Sequence, residues 1–184
     1  MTDSSETAQG ASEISGPERD GTPHAEAKLR VALFTDNYGP GHSGVLYAVQ
    51  FLEDALLNAG HDCLVVAPAC HGPNPHAGRP GRTELRLPSI RIPSVPARLA
   101  SGRGFEKALD ALAADPPDVI HVHGLGSVGL LGVWAARRCG VPLVVTWHTD
   151  FEAYAEHYAT LTPFLDAWVR LLKDLLRDKE FGAH

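Results

Sequence analysis

Aromatic residues make up only 7% of this 184-residue chain, methionine occurs once, and cysteine three times. The cysteines, Cys63, Cys70 and Cys139, are odd in number and form no short-spaced pair, which argues against a disulfide framework or a zinc knuckle. The N-terminal residues show no basic stretch followed by an apolar one, so nothing reads as a secretory signal. A reducing, cytoplasmic setting is expected. Long hydrophobic runs are scarce as well. The glycine-rich uncharged stretch 124–136 has thirteen residues, whereas a spanning helix needs about 20, and no membrane crossing is expected. What the chain has in quantity is ordinary globular material, 44% hydrophobic and 21% charged, enough for the core of one α/β domain.

The net charge of −6 is spread unevenly. Residues 1–27 carry Asp3, Glu6, Glu13, Glu18, Asp20 and Glu26 against Arg19 alone, among Ser, Gly, Thr and Ala without periodicity. That composition predicts a disordered acidic leader. From 79 to 107 the balance reverses, with Arg79, Arg82, Arg86, Arg91, Arg98, Arg103 and Lys107 against Glu84 and Glu106. Such an island attracts phosphate, phospholipid headgroups or an anionic membrane surface. It is equally consistent with a solvated loop, because it lacks interleaved aromatics and a strongly amphipathic helix. The acidic chain has no nucleic-acid-reading motif, so nucleic acid is not expected as a partner.

Beyond residue 28 apolar runs alternate with helical periodicity. Residues 30–35 (RVALFT) read as a buried strand, and Val45, Ala48, Val49, Leu52 and Leu56 recur at helical spacing until Gly60 stops the pattern. Strands follow at 63–67, near 85–87, at 119–122 and at 141–146. Helices are expected around Phe105, Ala108, Leu109 and Leu112 and over 128–138, with Gly140 closing the latter. A Pro-, Gly- and His-rich loop at 68–81 and a Pro-interrupted segment at 88–96 separate these elements. Alternating β and α units imply a doubly wound parallel sheet covered on both faces.

The segment 39–44, GPGHSG, matches the dinucleotide fingerprint in letters. In that fingerprint the glycines follow the strand directly, and an acidic residue about 20 positions on holds the ribose. Here Thr35-Asp36-Asn37-Tyr38 intervenes, and the second strand runs into Ala67-Pro68-Ala69-Cys70 without a carboxylate. A nicotinamide site is therefore disfavoured. A glycine loop entering a helix N-terminus remains, which suits an anion or a plain tight turn.

Several blocks in order resemble one family. These are Thr35-Asp36, Tyr38, Pro40 and Ser43-Gly44-Val45; Ala59-Gly60-His61-Asp62; Pro117-Asp118-Val119-Ile120-His121-Val122-His123; Gly129-Leu130-Leu131-Gly132 with Ala135-Ala136-Arg137-Arg138; and Val141-Pro142-Leu143-Val144-Val145-Thr146-Trp147-His148-Thr149-Asp150-Phe151 with Tyr154 and Tyr158. Over about 29–172 the chain resembles the N-terminal, acceptor-side domain of glycosyltransferase family 4, nearest the branch acting on lipid acceptors. The resemblance implies a Rossmann-like half of a GT-B fold, a retaining hexosyl transfer, and UDP- or GDP-hexose as donor, with no cofactor and no metal.

It also implies roles. Gly44, with Ser43 beside it, matches the position that presents backbone N–H groups to the donor diphosphate. His148 and Thr149 match the His-Thr pair at the transfer centre, and Asp150 follows them on the acceptor side. His121 and His123 point the same way by strand alternation; His123 is expected to line the acceptor cleft and His121 to be a hydrogen-bonded core residue. A metal reading of this H-x-H is discounted, because its spacing to Cys63, Cys70, His71 or His76 matches no known signature. Tyr38 is a candidate acceptor contact, and Asp36 is either a ligand contact or a local backbone cap. Arg86, Arg91 and Arg98 are the candidate contacts to an anionic surface, with a peripheral position at the inner membrane face.

The family's second domain, which holds most of the sugar nucleotide, has no counterpart in 28–184, where the last pattern is a helical run over 161–176. Two expectations follow: an acceptor-binding half that works with a donor domain, on a separate chain or as part of a longer one, or a non-catalytic module that binds an anionic ligand or regulates a transferase.

Overall fold

The structure is a computed structural model and describes residues 27–39, 43–70, 76–91, 98–100, 102–124 and 126–148. The expected leader falls almost wholly on 1–26, and the helical run 161–176 lies beyond 148, so both are outside the described residues.

A five-stranded parallel sheet organises the chain. Strands β1 (Arg30–Phe34), β2 (Asp62–Pro68), β3 (Arg82–Leu87), β6 (Val119–Val122) and β7 (Leu143–Val145) stand in the order β3-β2-β1-β6-β7. A short antiparallel hairpin, β4 (Ser89–Arg91) with β5 (Arg98–Ala100), branches off after β3. The helices are α1 (Gly44–Asn58), α2 (Phe105–Ala114) and α3 (Ser127–Cys139). The α/β Rossmann-like class expected from the alternating pattern is the one observed.

The centre of the sheet follows from composition. In β1 and β2 the runs VALF and CLVVAP are buried without alternation, as a strand covered on both faces requires. Val31, Leu33, Cys63, Val65 and Ala67 face α1, where Leu46 and Val49 meet them. Ala32, Phe34, Leu64, Val66, Ile120 and Val122 face α2 and α3. Burial pushes the Cys63 thiol up to about 12, so it behaves as a core hydrophobe.

Helix α3 lies unusually close to the sheet. A Cβ at Gly132 would fall 2.6 Å from Val122 and 2.9 Å from Phe34, and one at Gly129 would fall 1.9 Å from the Gly124 carbonyl oxygen. Small residues at these two positions allow the approach, and Gly140 in the left-handed conformation ends the helix as expected.

Two expectations needed correction. Strand β3 begins three residues before 85, because Arg82 and Glu84 are paired with neighbours and need not face water. The Pro-interrupted segment begins with strand β4, and its partner β5 follows just after it, a hairpin that the prolines obscured.

Candidate functional site

Because the five strands are parallel, the loops after β1, β6 and β7 all leave at one edge of the sheet, and in open α/β sheets ligands bind there. Every expected centre of chemistry among the described residues lies along this edge.

The loop after β1 leads into α1. Ser43 has extended backbone and its Oγ accepts the Leu46 N–H at 3.1 Å, the arrangement of a helix N-cap. Asn37 donates its side-chain N–H to the same Oγ at 2.7 Å, holding the cap in place. Gly44 is the first residue of α1, and a Cβ built on it meets no atom within 4 Å. Its backbone is helical rather than left-handed, so neither conformation nor internal packing calls for glycine here. Among the described residues the N-terminus of α1 carries only the Ser43 cap, so its first N–H groups and the helix dipole favour an anion.

Tyr38 is placed differently from a cleft-lining residue. It is only 4% exposed, and its hydroxyl donates to Glu53 of α1, which is fully buried. Arg82 pairs with Glu53 and Glu84. Arg86 lies 5.1 Å from the Tyr38 ring centroid, donates to the Tyr38 and Pro68 carbonyls and pairs with Glu84. Burial and the hydrogen bond to Glu53 both push the Tyr38 phenol up, so it stays protonated as a donor. The network ties β3 to α1 and to the loop before it.

That network absorbs much of the basic island. Arg79 pairs with Asp54, Arg82 with Glu53 and Glu84, and Arg86 with Glu84. Arg98 donates to Ser89 Oγ at 2.8 Å and to its carbonyl at 3.3 Å. Arg91, opposite Arg98 in the hairpin, is exposed. Of the three arginines considered for an anionic surface, Arg86 is thus a structural tie and Arg91 is the outward one.

Asp36 caps a helix other than the one its own loop enters. Its carboxylate accepts N–H groups from Val128 at 2.9 Å and Gly129 at 3.2 Å and the Ser127 hydroxyl at 3.1 Å, capping α3 from 91 residues away. Burial raises its pKa, and these donors pull the other way. A Cβ at Gly126 would collide with this carboxylate at 2.5 Å. The first turn of α3 is therefore occupied by the protein's own anion, whereas that of α1 is not.

Three histidines complete the edge. His121 and His123 project from β6 on the α1 side of the sheet, as alternation required, with ring centroids 3.9 Å apart. His121 Nε2 contacts Thr146 Oγ1 at 2.7 Å, the expected hydrogen bond, but His121 is half-buried rather than a core residue, and His123 is the buried ring of the two. His123 is 3% exposed and its ring stacks on His148, centroids 5.3 Å apart. Its Nδ1 meets His148 Nε2 at 3.0 Å. Burial lowers the pKa of all three, with neighbouring rings adding to the effect at His121 and His123; His123 falls to about 3, so it is neutral. His123 thus stands behind His148, and His148 is the half-exposed member. Thr149 and Asp150 lie outside the described residues. No grouping of three or more His, Cys, Asp or Glu suited to a metal ion occurs among the described residues.

The contacts that sequence reasoning missed are the long-range ones: Asp36 to α3, Tyr38 to Glu53, and His123 to His148. Only the last left a signal, the H-x-H alternation beside a second histidine-bearing strand end.

A parallel sheet with helices on both faces and a histidine cluster at its strand-end edge defines a Rossmann-like α/β domain. Residues 43–177 match the family described as the glycosyl transferase 4-like domain, and the chain belongs to that family. Among curated proteins it is 35% identical over 131 residues to the alpha-monoglucosyldiacylglycerol synthase of Streptococcus pneumoniae, covering 71% of this chain and 29% of that protein. It is 32% identical over 142 residues to the GDP-mannose-dependent alpha-mannosyltransferase of Mycolicibacterium smegmatis, covering 76% and 38%. The corresponding protein of Mycobacterium tuberculosis is 33% identical over 142 residues, covering 76% and 37%. The chain thus spans about a third of the length of these relatives. Among the described residues no helix is long and apolar enough to cross a membrane.

Proposed function

We propose that this domain is the acceptor-side half of a retaining glycosyltransferase that moves a hexose from a nucleotide sugar to a lipid or small-molecule acceptor. The name of one relative, a GDP-mannose-dependent alpha-mannosyltransferase, supports a GDP-hexose donor, and that of another, an alpha-monoglucosyldiacylglycerol synthase, supports a lipid acceptor; UDP-hexose is the alternative donor. A donor domain, on the same or a separate chain, completes the enzyme. No metal or other cofactor takes part, and the enzyme works in the cytoplasm, with peripheral contact at the inner membrane face through Arg91 and Arg98.

The observation that carries this reading is Gly44, a glycine that the fold does not itself need at the open N-terminus of α1. Its N–H, with that of Val45, meets the donor diphosphate as negative charge builds on the leaving group, the Leu46 N–H being held by Ser43. His148 acts as a neutral hydrogen-bond partner to an oxygen of the sugar or acceptor, and Thr149 and Asp150 continue that surface. Tyr38 and His123 support the acceptor side from beneath it.

The test is an amide NMR titration of the chain with a short-chain diacylglycerol as acceptor and, separately, with UDP-glucose and GDP-mannose. The acceptor should shift the amides of residues 123 and 148, and the nucleotide sugars should bind only weakly, with any shift centred on residue 44. Tight, saturable binding of a nucleotide sugar with no response to the acceptor would overturn the assignment.

A further inference from the structure

The hydrogen bond between His123 Nδ1 and His148 Nε2 sets a constraint on His148 that its own exposure does not. Two neutral imidazoles joined nitrogen to nitrogen share one proton, so one ring donates and the other accepts. The other nitrogen of His123, Nε2, is buried and has no partner among the described residues. If His148 donated, His123 would carry its proton on that Nε2, leaving a buried N–H with no acceptor. If His123 donates from Nδ1, Nε2 is a bare lone pair. Orphaned buried N–H groups are the rarer defect, as backbone statistics show.

Surrounding contacts hold His123 in position to donate. Its backbone N–H is bound to the Phe34 carbonyl at 2.8 Å, and its ring is held between His121 and His148. His121 is itself fixed by Thr146, whose backbone N–H is bound to the Val122 carbonyl at 2.9 Å. Strands β6 and β7 therefore set the ring planes together, before any ligand arrives.

We propose that His123 is a positioning residue: it donates Nδ1–H to His148 Nε2 and so fixes His148 as the tautomer protonated on Nδ1, leaving that nitrogen as its hydrogen-bond donor. His148 then offers a proton-bearing nitrogen to an electronegative oxygen, such as a sugar hydroxyl or an acceptor phosphate, without carrying charge. Its other nitrogen is already engaged, so the ring cannot flip to accept at that site without losing the bond to His123. Use of this donor in sugar transfer rests on the function proposed above, but the tautomer itself does not.

Long-range proton–nitrogen correlation NMR on the 15N-histidine-labelled chain, without substrate and near pH 7.5, reads the tautomer directly. His148 should show a protonated Nδ1 and a bare Nε2, favoured about fivefold or more, the bias expected of one net hydrogen bond. In His123→Leu that preference should be lost. In His123→Asn, whose amide can occupy the place of Nδ1 and donate, it should return. Core amide shifts of β1 and β6 report whether each variant is folded, and the parent spectrum decides even if neither variant folds. A His148 found protonated on Nε2 in the parent, or an Nδ1–H preference that survives in folded His123→Leu, overturns the proposal. A chain that shows the expected tautomer but no acceptor binding would instead count against the proposed function alone.

Discussion

At the residue scale the telling positions are those whose chemistry is spent inside the protein. Asp36 caps α3 with three hydrogen bonds to Val128, Gly129 and Ser127. Asp36→Ala leaves two helix N–H groups and a hydroxyl unsatisfied, so the chain should lose roughly 1–3 kcal/mol by urea denaturation. The sequence suggested Asp36 as a turn or ligand residue because caps are sought next to the helix they serve, and this one reaches across from another strand. His123 gives a second outcome. Unfolded, its imidazole takes up a proton as pH falls below about 6.5, whereas the folded ring resists protonation until about 3. Between those values the unfolded state binds more protons. Native stability is therefore undiminished above about 6.5, declines as pH falls, and levels off below about 3, by at most about 1.4 kcal/mol per pH unit for this ring. Melting temperatures from pH 7 to 4 should show the decline, and His123→Leu should flatten it; an unchanged slope in a folded His123→Leu would remove His123 as its source.

At the element scale the sequence was most legible where apolar runs and helical spacing decide structure on their own. Strands β1, β2 and β6 and helix α1 were readable from buried runs and 3.6-residue spacing, and the β–α alternation gave the parallel sheet. Less legible was the basic stretch, where charge suggested solvent. Arg82 and Arg86 in β3 are held by Glu53 and Glu84, which lie far from Arg82 in the chain or alternate with it, so pairing was invisible until the fold brought α1 and β3 together. Two of the three arginines considered for a surface role, Arg86 and Arg91, should therefore part company when mutated. Arg86→Glu breaks an ion pair, two carbonyl hydrogen bonds and the contact over Tyr38, and places a carboxylate beside Glu84. It should lower the melting temperature by several degrees. Arg91→Glu, on an exposed hairpin strand, should melt like the parent and only weaken retention on anionic liposomes at low salt. Sedimentation with anionic and neutral vesicles, beside thermal melts, distinguishes the two. Equal melts for both variants would show that the β3 network contributes little.

At the scale of the whole molecule the parallel sheet gathers positions 44 and 148 to one edge although the chain separates them by most of the domain. The order of the family blocks already implied that gathering, whereas the roles of Gly44 and His148 rested on resemblance. The physical reason for Gly44 emerged only when the space around it was known. Two substitutions at that edge should change function without changing the fold. Gly44→Val adds a side chain where, beyond its chain neighbours and its own helix backbone, no described atom lies within 4 Å of the Cβ, so its melt should stay close to the parent's while a bound diphosphate would collide with it. His148→Ala removes a half-exposed ring that contributes little core packing but the donor proposed for the transfer centre. With a family donor domain supplied as a fusion or in trans, each should reduce transfer of hexose from UDP-glucose or GDP-mannose to a glycerolipid acceptor. Losses of about 10²-fold are typical when a positioned polar group is removed. The two defects should differ in kind. Gly44→Val should chiefly weaken donor binding and raise the donor KM, because the diphosphate is held in the ground state as well as in the transition state. His148→Ala should chiefly lower kcat, because its hydrogen bond strengthens as the sugar transfers. Steady-state kinetics on the reconstituted enzyme separates these effects. Variants that melt like the parent and transfer sugar at its rate would reduce the loop before α1 to a tight turn and the histidine stack to packing.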